Sequence, residues 1–183
     1  DGSATVGLGA GSPRGFTLVP VARPGAGWAL WDAGDLDGDG RMDLLWKQGE
    51  ALAVTLLDGN AGKAGGDHWL GAPGAGWVVV AVAELNGDGH ADILWRNDAL
   101  GGALASTLTD ASGTAIASTN WLSKPGEGWS YAGVGDFDAD GRADTLWTEA
   151  NGHVAVMFTA ADGTASAGSY WFSKPGAGWE LLG

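Results

Sequence analysis

One motif recurs three times at matched positions and dictates the architecture: DLDGDGRMD at 35–43, ELNGDGHAD at 84–92 and DFDADGRAD at 136–144. Each acidic, glycine-punctuated loop lies inside a larger unit of about fifty residues that recurs with it. A chain with a fixed internal period of that size is a repeat protein, and repetition outranks length as a guide to its fold.

Three landmarks define the unit. A Pro-Gly-x-Gly-Trp turn appears at Pro24–Trp28, Pro73–Trp77, Pro125–Trp129 and Pro175–Trp179. The acidic loop follows, with a short apolar run ending in Trp46, Trp95 or Trp147. A further Trp stands at 69, 121 and 171, always 8 residues before the next turn's Trp. First to second Trp is 18 residues in every unit, whereas second to third varies as 23, 26 and 24. Length is thus held around the loop and the turn, and the slack falls in one middle hairpin, as in surface loops without a shared geometric duty.

Each unit divides into four strand candidates. In the second these are Trp77–Ala83, nearly continuous apolar as an inner strand should be, then Ala91–Arg96, Leu104–Thr109 and Ala117–Leu122. In the third, His153–Thr159 alternates, with Val154, Val156 and Phe158 on one face and Ala155, Met157 and Thr159 on the other. No window has helical periodicity. Four short strands repeating in register predict an all-β chain of β-propeller blades. A β-sandwich would not repeat its landmarks. The division is a leading partial unit at 1–27 (the final strand of a preceding blade), repeats at 28–76, 77–128 and 129–178, and the start of a further blade at 179–183. Three complete blades fall short of the usual four to eight, so the remainder of a longer propeller or self-association is expected.

The loops have the chemistry of calcium sites. Calcium takes six to eight oxygens, and D-x-D-x-D-G-x-x-D supplies carboxylates at positions 1, 3, 5 and 9, a backbone carbonyl at 7 and a bend at Gly 6. The first loop offers Asp35, Asp37, Asp39, the Arg41 carbonyl and Asp43; the third offers Asp136, Asp138, Asp140, the Arg142 carbonyl and Asp144. In the second loop the set is Glu84, Asn86, Asp88, the His90 carbonyl and Asp92. One charge fewer and a longer side chain at position 1 predict the weakest affinity there. An EF-hand fails, because its twelfth position needs a bidentate Glu and here holds Trp46, Trp95 or Trp147. The competing reading is a set of acidic Asx-type turns without metal.

GWVVVAVAELNGDGHADILW and its counterparts at 27–46 and 128–147 resemble the FG-GAP/VCBS repeats of bacterial secreted proteins, related to the integrin α-subunit propeller. Gly-Trp in place of Phe-Gly, and Leu-Leu-Trp or Ile-Leu-Trp in place of Gly-Ala-Pro, bring the chain nearer the bacterial Trp-rich branch. The resemblance implies calcium between the first and second strands of each blade. It also implies an extracellular, secreted or surface-attached module for adhesion or ligand binding, its partner a glycan or cell-surface protein. The alternative is a calcium-stabilised structural or self-assembling segment of a larger secreted protein, without ligand specificity of its own.

Composition narrows the function classes. The 183 residues carry a formal charge of −13, and eleven of the 22 acidic residues sit in the three loops. Without basic stripes, nucleic acid is not an expected partner. Cysteine is absent, and no apolar run is long enough for a membrane-spanning helix. Gly-x-Ser-x-Gly, His-Glu-x-x-His and phosphate-loop patterns are missing, and His68, His90 and His153 occupy non-equivalent positions. No enzymatic function is expected. The turn tryptophans, beside Arg23, Lys124 and Lys174, read as blade packing first and as shallow sugar-stacking sites second. Trp31, without a counterpart in the other units, is the tryptophan whose exposure is most expected.

Overall fold

The computed structural model describes residues 4–9, 16–71, 73–122, 124–163 and 166–172. Strands β1 (Ala4–Gly9) and β2 (Phe16–Val21) form an antiparallel pair. Blade 1 is β3 (Ala29–Gly34), β4 (Asp43–Gln48), β5 (Ala51–Leu57) and β6 (Lys63–Leu70). Blade 2 is β7 (Val78–Ala83), β8 (Asp92–Asn97), β9 (Ala103–Thr109) and β10 (Ile116–Leu122). Blade 3 is β11 (Trp129–Gly135), β12 (Asp144–Glu149), β13 (Val154–Thr159) and β14 (Ser166–Phe172). In each sheet the strands pair in sequence order and antiparallel, as propeller blades do. Helix among the described residues is one 3-10 turn, Asp98–Leu100. The segment at 179–183 and the fourth turn, with Lys174, lie outside the described residues.

The expected final strand of a preceding blade, Phe16–Arg23, is strand to Val21 and runs beside β1. Val21 packs on one face of blade 1 with Trp28, Leu44, Trp46, Ala53 and Leu57. The opposite face of blade 1 gives Leu36, Leu45, Leu52, Val54, Leu56 and Leu70 to a core shared with Trp77, Val79, Ile93 and Trp95 of blade 2. Blade 2 repeats the arrangement, with Leu94 and Leu104 against Trp129, Trp147 and Ala155 of blade 3. Blades 1 and 2 therefore use both faces, which explains why their inner strands read as apolar runs rather than alternations.

The tryptophans divide by role. The turn residues Trp28, Trp77 and Trp129 are buried, as are Trp46, Trp95 and Trp147. The latter donate Nε1–H to Thr55, Thr107 and Thr145 hydroxyls, each at 2.9 Å, so these three indole N–H groups are all paired. The third tryptophans lean on the turn residues with ring centroids 4.9, 5.2 and 4.7 Å apart. Their other faces are open: Trp69, Trp121 and Trp171 are 64%, 63% and 55% exposed, more than Trp31 at 48%. Trp31 is thus exposed as expected, and the outer-strand tryptophans are more so. Outer-strand residues have no neighbour beyond them, whereas Trp31 faces the next blade.

Candidate metal centres

Each acidic loop joins the first and second strands of its blade, and its ninth residue is the anchor. Asp43 accepts the Leu36 N–H and the Leu57 N–H, both at 2.9 Å, tying the loop to its own start and to the end of β5. Asp92 does the same with Leu85 and Thr109, and Asp144 with Phe137 and Thr159. All three carboxyls are wholly buried. Burial pushes their pKa values up against the pull of those N–H groups, with neighbouring loop carboxylates adding to the rise. Asp92 is pushed up to about 7.

In the first loop, carboxylate oxygens of Asp35, Asp37 and Asp39 lie within 4.8 Å of one another. Asp35 Oδ2 accepts the Gly40 N–H at 2.8 Å, while its Oδ1 is buried and accepts nothing. An unmatched carboxylate oxygen facing two further carboxylates fits a hard cation and little else. Asp43 stands outside this triple, held by its backbone donors. The third loop gathers Asp136, Asp138 and Asp144 within the same limit. There Asp140 turns to an ion pair with Arg142, as Asp39 also meets Arg41 in the first loop. The Asp39–Arg41 pair is exposed, and pairs of that kind are weak, whereas Arg142 is half-buried and also donates to the Thr159 carbonyl at 3.2 Å.

The second loop is different. Glu84 accepts the Asn86, Gly87 and Gly89 N–H groups at 3.0, 2.7 and 2.5 Å, occupying both of its oxygens. Asn86 donates Nδ2–H to Asp88 at 2.9 Å. Asp35 and Asp136 also accept the position-6 N–H, of Gly40 and Gly141, but the extra methylene of Glu84 carries its second oxygen to the Asn86 and Gly87 N–H groups. No acidic triple forms there among the described residues.

Sequence reasoning missed how the loops join. The Asp35 carbonyl accepts the Ala91 N–H at 2.6 Å, and the Glu84 carbonyl accepts the Ala143 N–H at 2.7 Å. Position 1 of each loop is thereby stitched to position 8 of the next. The side chain at position 7 also meets its neighbour: a Cβ on Gly38 would lie 2.8 Å from His90 Cε1. The repeat of Gly at position 4 (Gly38, Gly87) was the available signal, and Ala139 breaks it.

Residues 35–95 match the family model described as the FG-GAP-like repeat. That third of the chain is FG-GAP-like in sequence. No curated protein sequence matches it. Among solved structures it is similar to an Agrocybe aegerita lectin that specifically recognises non-reducing terminal N-acetylglucosamine, with 20% identity and a TM-score of 0.57. That match covers 73% of this chain and 36% of the lectin, so the chain spans little more than a third of it. At such identity the likeness speaks to the fold. No helix among the described residues is long and apolar enough to cross a membrane.

Proposed function

We propose that this repeat protein is a calcium-binding, extracellular β-propeller module for adhesion or ligand binding, glycans included, and not an enzyme. The observation that carries the metal reading is the buried, unpartnered Oδ1 of Asp35 among converging carboxylates. Asp35, Asp37, Asp39, Asp43 and the Arg41 carbonyl would hold one ion. Asp136, Asp138, Asp140, Asp144 and the Arg142 carbonyl would hold a second. Glu84, Asn86, Asp88, Asp92 and the His90 carbonyl form the weakest of the three sites. A bound divalent cation supplies the positive charge that lets these carboxylates share one small volume. The glycan reading is supported by the row of exposed Trp69, Trp121 and Trp171, whose flat apolar faces suit sugar rings. The similarity to a lectin in fold adds to it.

Thermal unfolding in EDTA and in millimolar calcium tests the metal reading. Calcium raises the melting temperature, and an unchanged melt would contradict it. A glycan array probed in calcium, terminal N-acetylglucosamine included, tests the ligand reading.

A second reading, self-association or the remainder of a longer propeller, has its own support. The outer face of blade 3 carries Phe137, Phe158, Tyr170 and Phe172 around a cavity of about 440 Å³. Leu36 and Leu56, which match Phe137 and Phe158 in blade 1, are covered by blade 2. Light scattering across protein concentration in calcium tests it: a mass rising above the monomer favours association of copies.

A further inference from the structure

The two seams between blades are not alike. Between blades 1 and 2 the bulge residue of β3, Trp31, donates its indole N–H to the Val79 carbonyl at 3.3 Å. Lys47 covers its ring, with Nζ 4.3 Å from the centroid. Beside it Asp32 accepts the Val82 N–H at 3.1 Å. The matching residues of β7 are Val80, again the bulge, and Ala81. Neither can bridge to blade 3 by a side-chain hydrogen bond. There the seam opens as a cleft of about 290 Å³, lined by Arg96, Asp98, Gly101, Gly102, Ser130 and Tyr131 among others.

We propose that this cleft between blades 2 and 3 binds a neutral pyranose unit of a saccharide, with Arg96, Asp98 and Tyr131 as its recognition groups; the proposal rests on the glycan reading above and gives it a place.

The chemistry is that of vicinal hydroxyls. Arg96 Nε lies 2.9 Å from Asp98 Oδ1, and its Nη2 donates to Oδ2 at 3.2 Å. The pair neutralises itself and leaves N–H donors and carboxylate lone pairs side by side, where a diol can use both. The adjacent Asp98 carboxylate disfavours an anion, and Arg96 Nε, buried and without a hydrogen bond, is left to donate to a ligand hydroxyl. The Tyr131 hydroxyl makes no hydrogen bond among the described residues, and burial, against the nearby Arg96, pushes its pKa up to about 12, so it stays a donor. Its ring is set edge-on to Trp147 at 6.2 Å, which fixes its direction.

The third wall is bare backbone. Gly101 and Gly102 have φ of +68° and +75°, and a Cβ on Gly102 would meet nothing within 4 Å. Lys124 holds this loop by donating to the Gly101 carbonyl at 2.5 Å. The loop belongs to the longest of the three variable hairpins, so the length that looks like slack in the sequence builds a wall here. An aromatic group with a few convergent polar groups in a small concavity is the usual make-up of a site for a small ligand.

Isothermal titration and saturation-transfer NMR in calcium, with glucose, galactose, mannose, glucuronate and glucosamine as probes, test this directly. At least one neutral hexose is expected to bind. Val80→Trp, which puts at this seam the residue type that Trp31 supplies at the first, is expected to crowd the cleft and weaken that binding roughly tenfold or more. Arg96→Ala is expected to do the same and Tyr131→Phe somewhat less, each variant keeping its calcium-dependent melt, which also covers a misfolded Val80→Trp. Unchanged binding in Val80→Trp and Arg96→Ala would overturn the cleft while leaving the glycan reading standing. A wild-type protein that binds no saccharide at all would remove both, and preference for glucuronate or glucosamine would overturn the neutral class.

Discussion

In the loop at 35–43, Asp35, Asp37 and Asp39 converge and Asp35 Oδ1 has no donor; in the loop at 84–92, Glu84 commits both oxygens to the loop's own N–H groups. The two turns share their backbone course and their anchor, a buried Asp at position 9 bonded to two backbone N–H groups. What separates them is one methylene at position 1 and an amide at position 3. A turn of this kind can be satisfied from within, by a carboxylate long enough to fold back, or from without, by an ion. The loop at 35–43 is built for the second and the middle loop leans to the first; the loop at 136–144 stands between, since Asp136 accepts the Asp140 and Gly141 N–H groups yet converges with Asp138 and Asp144.

The largest effect that could break this contrast comes from removing both outer sites. Asp35→Asn combined with Asp136→Asn is expected to lower the melting temperature in calcium by roughly 10–20 °C, from about 2.7 kcal/mol per site at a hundredfold Kd. Glu84→Gln is expected to move it by only a few degrees in calorimetry. Equal losses would put all three loops on one footing.

A smaller effect separates loop 1 from loop 3 at position 4. Gly38 has φ of +73° and His90 pressed against it, whereas Ala139 already holds φ of +62° with a side chain. Gly38→Ala is expected to cost about 1–3 kcal/mol in denaturant unfolding. Ala139→Gly is expected to change stability by less than about 1 kcal/mol.

Converting the middle loop sharpens the contrast from the other side. Glu84→Asp with Asn86→Asp withdraws the carboxylate from the N–H groups of residues 86 and 87 and restores the charge. Calcium titration is expected to show this site tightening about tenfold, which is about 1.4 kcal/mol. Smallest of all, Arg41→Ala should shift stability by no more than about 0.5 kcal/mol, because its pair with Asp39 is solvent-exposed. A larger loss in thermal melts would mean that Arg41, rather than an ion, balances loop 1.

Much of this was legible in the chain because it is local. The spacing of Trp28, Trp46 and their counterparts marks the sheets, and the four strands of blade 2 fall within one residue of where pattern alone places them. The acidic loops and the weak middle position are readable from residue types at fixed offsets. Contacts across a seam are not, since they join residues about fifty apart whose side chains carry no periodic mark. Trp31 looked like a stray aromatic; its partner is the Val79 carbonyl on another blade. The bulge that places Val80 at the second seam, and the bond from Ala91 to Asp35, are likewise products of blade packing. The exposure of Trp69, Trp121 and Trp171 follows from standing on outer strands, which a strand assignment implies but a Trp count conceals.

Anomalous scattering from crystals grown in calcium tests the central claim most directly. Peaks bounded by Asp35, Asp37 and Asp39, and by Asp136, Asp138 and Asp144, with a weaker one or none beside Glu84, are the predicted result. Featureless density amid the first of these groups, or a strongest peak at Glu84, would contradict it.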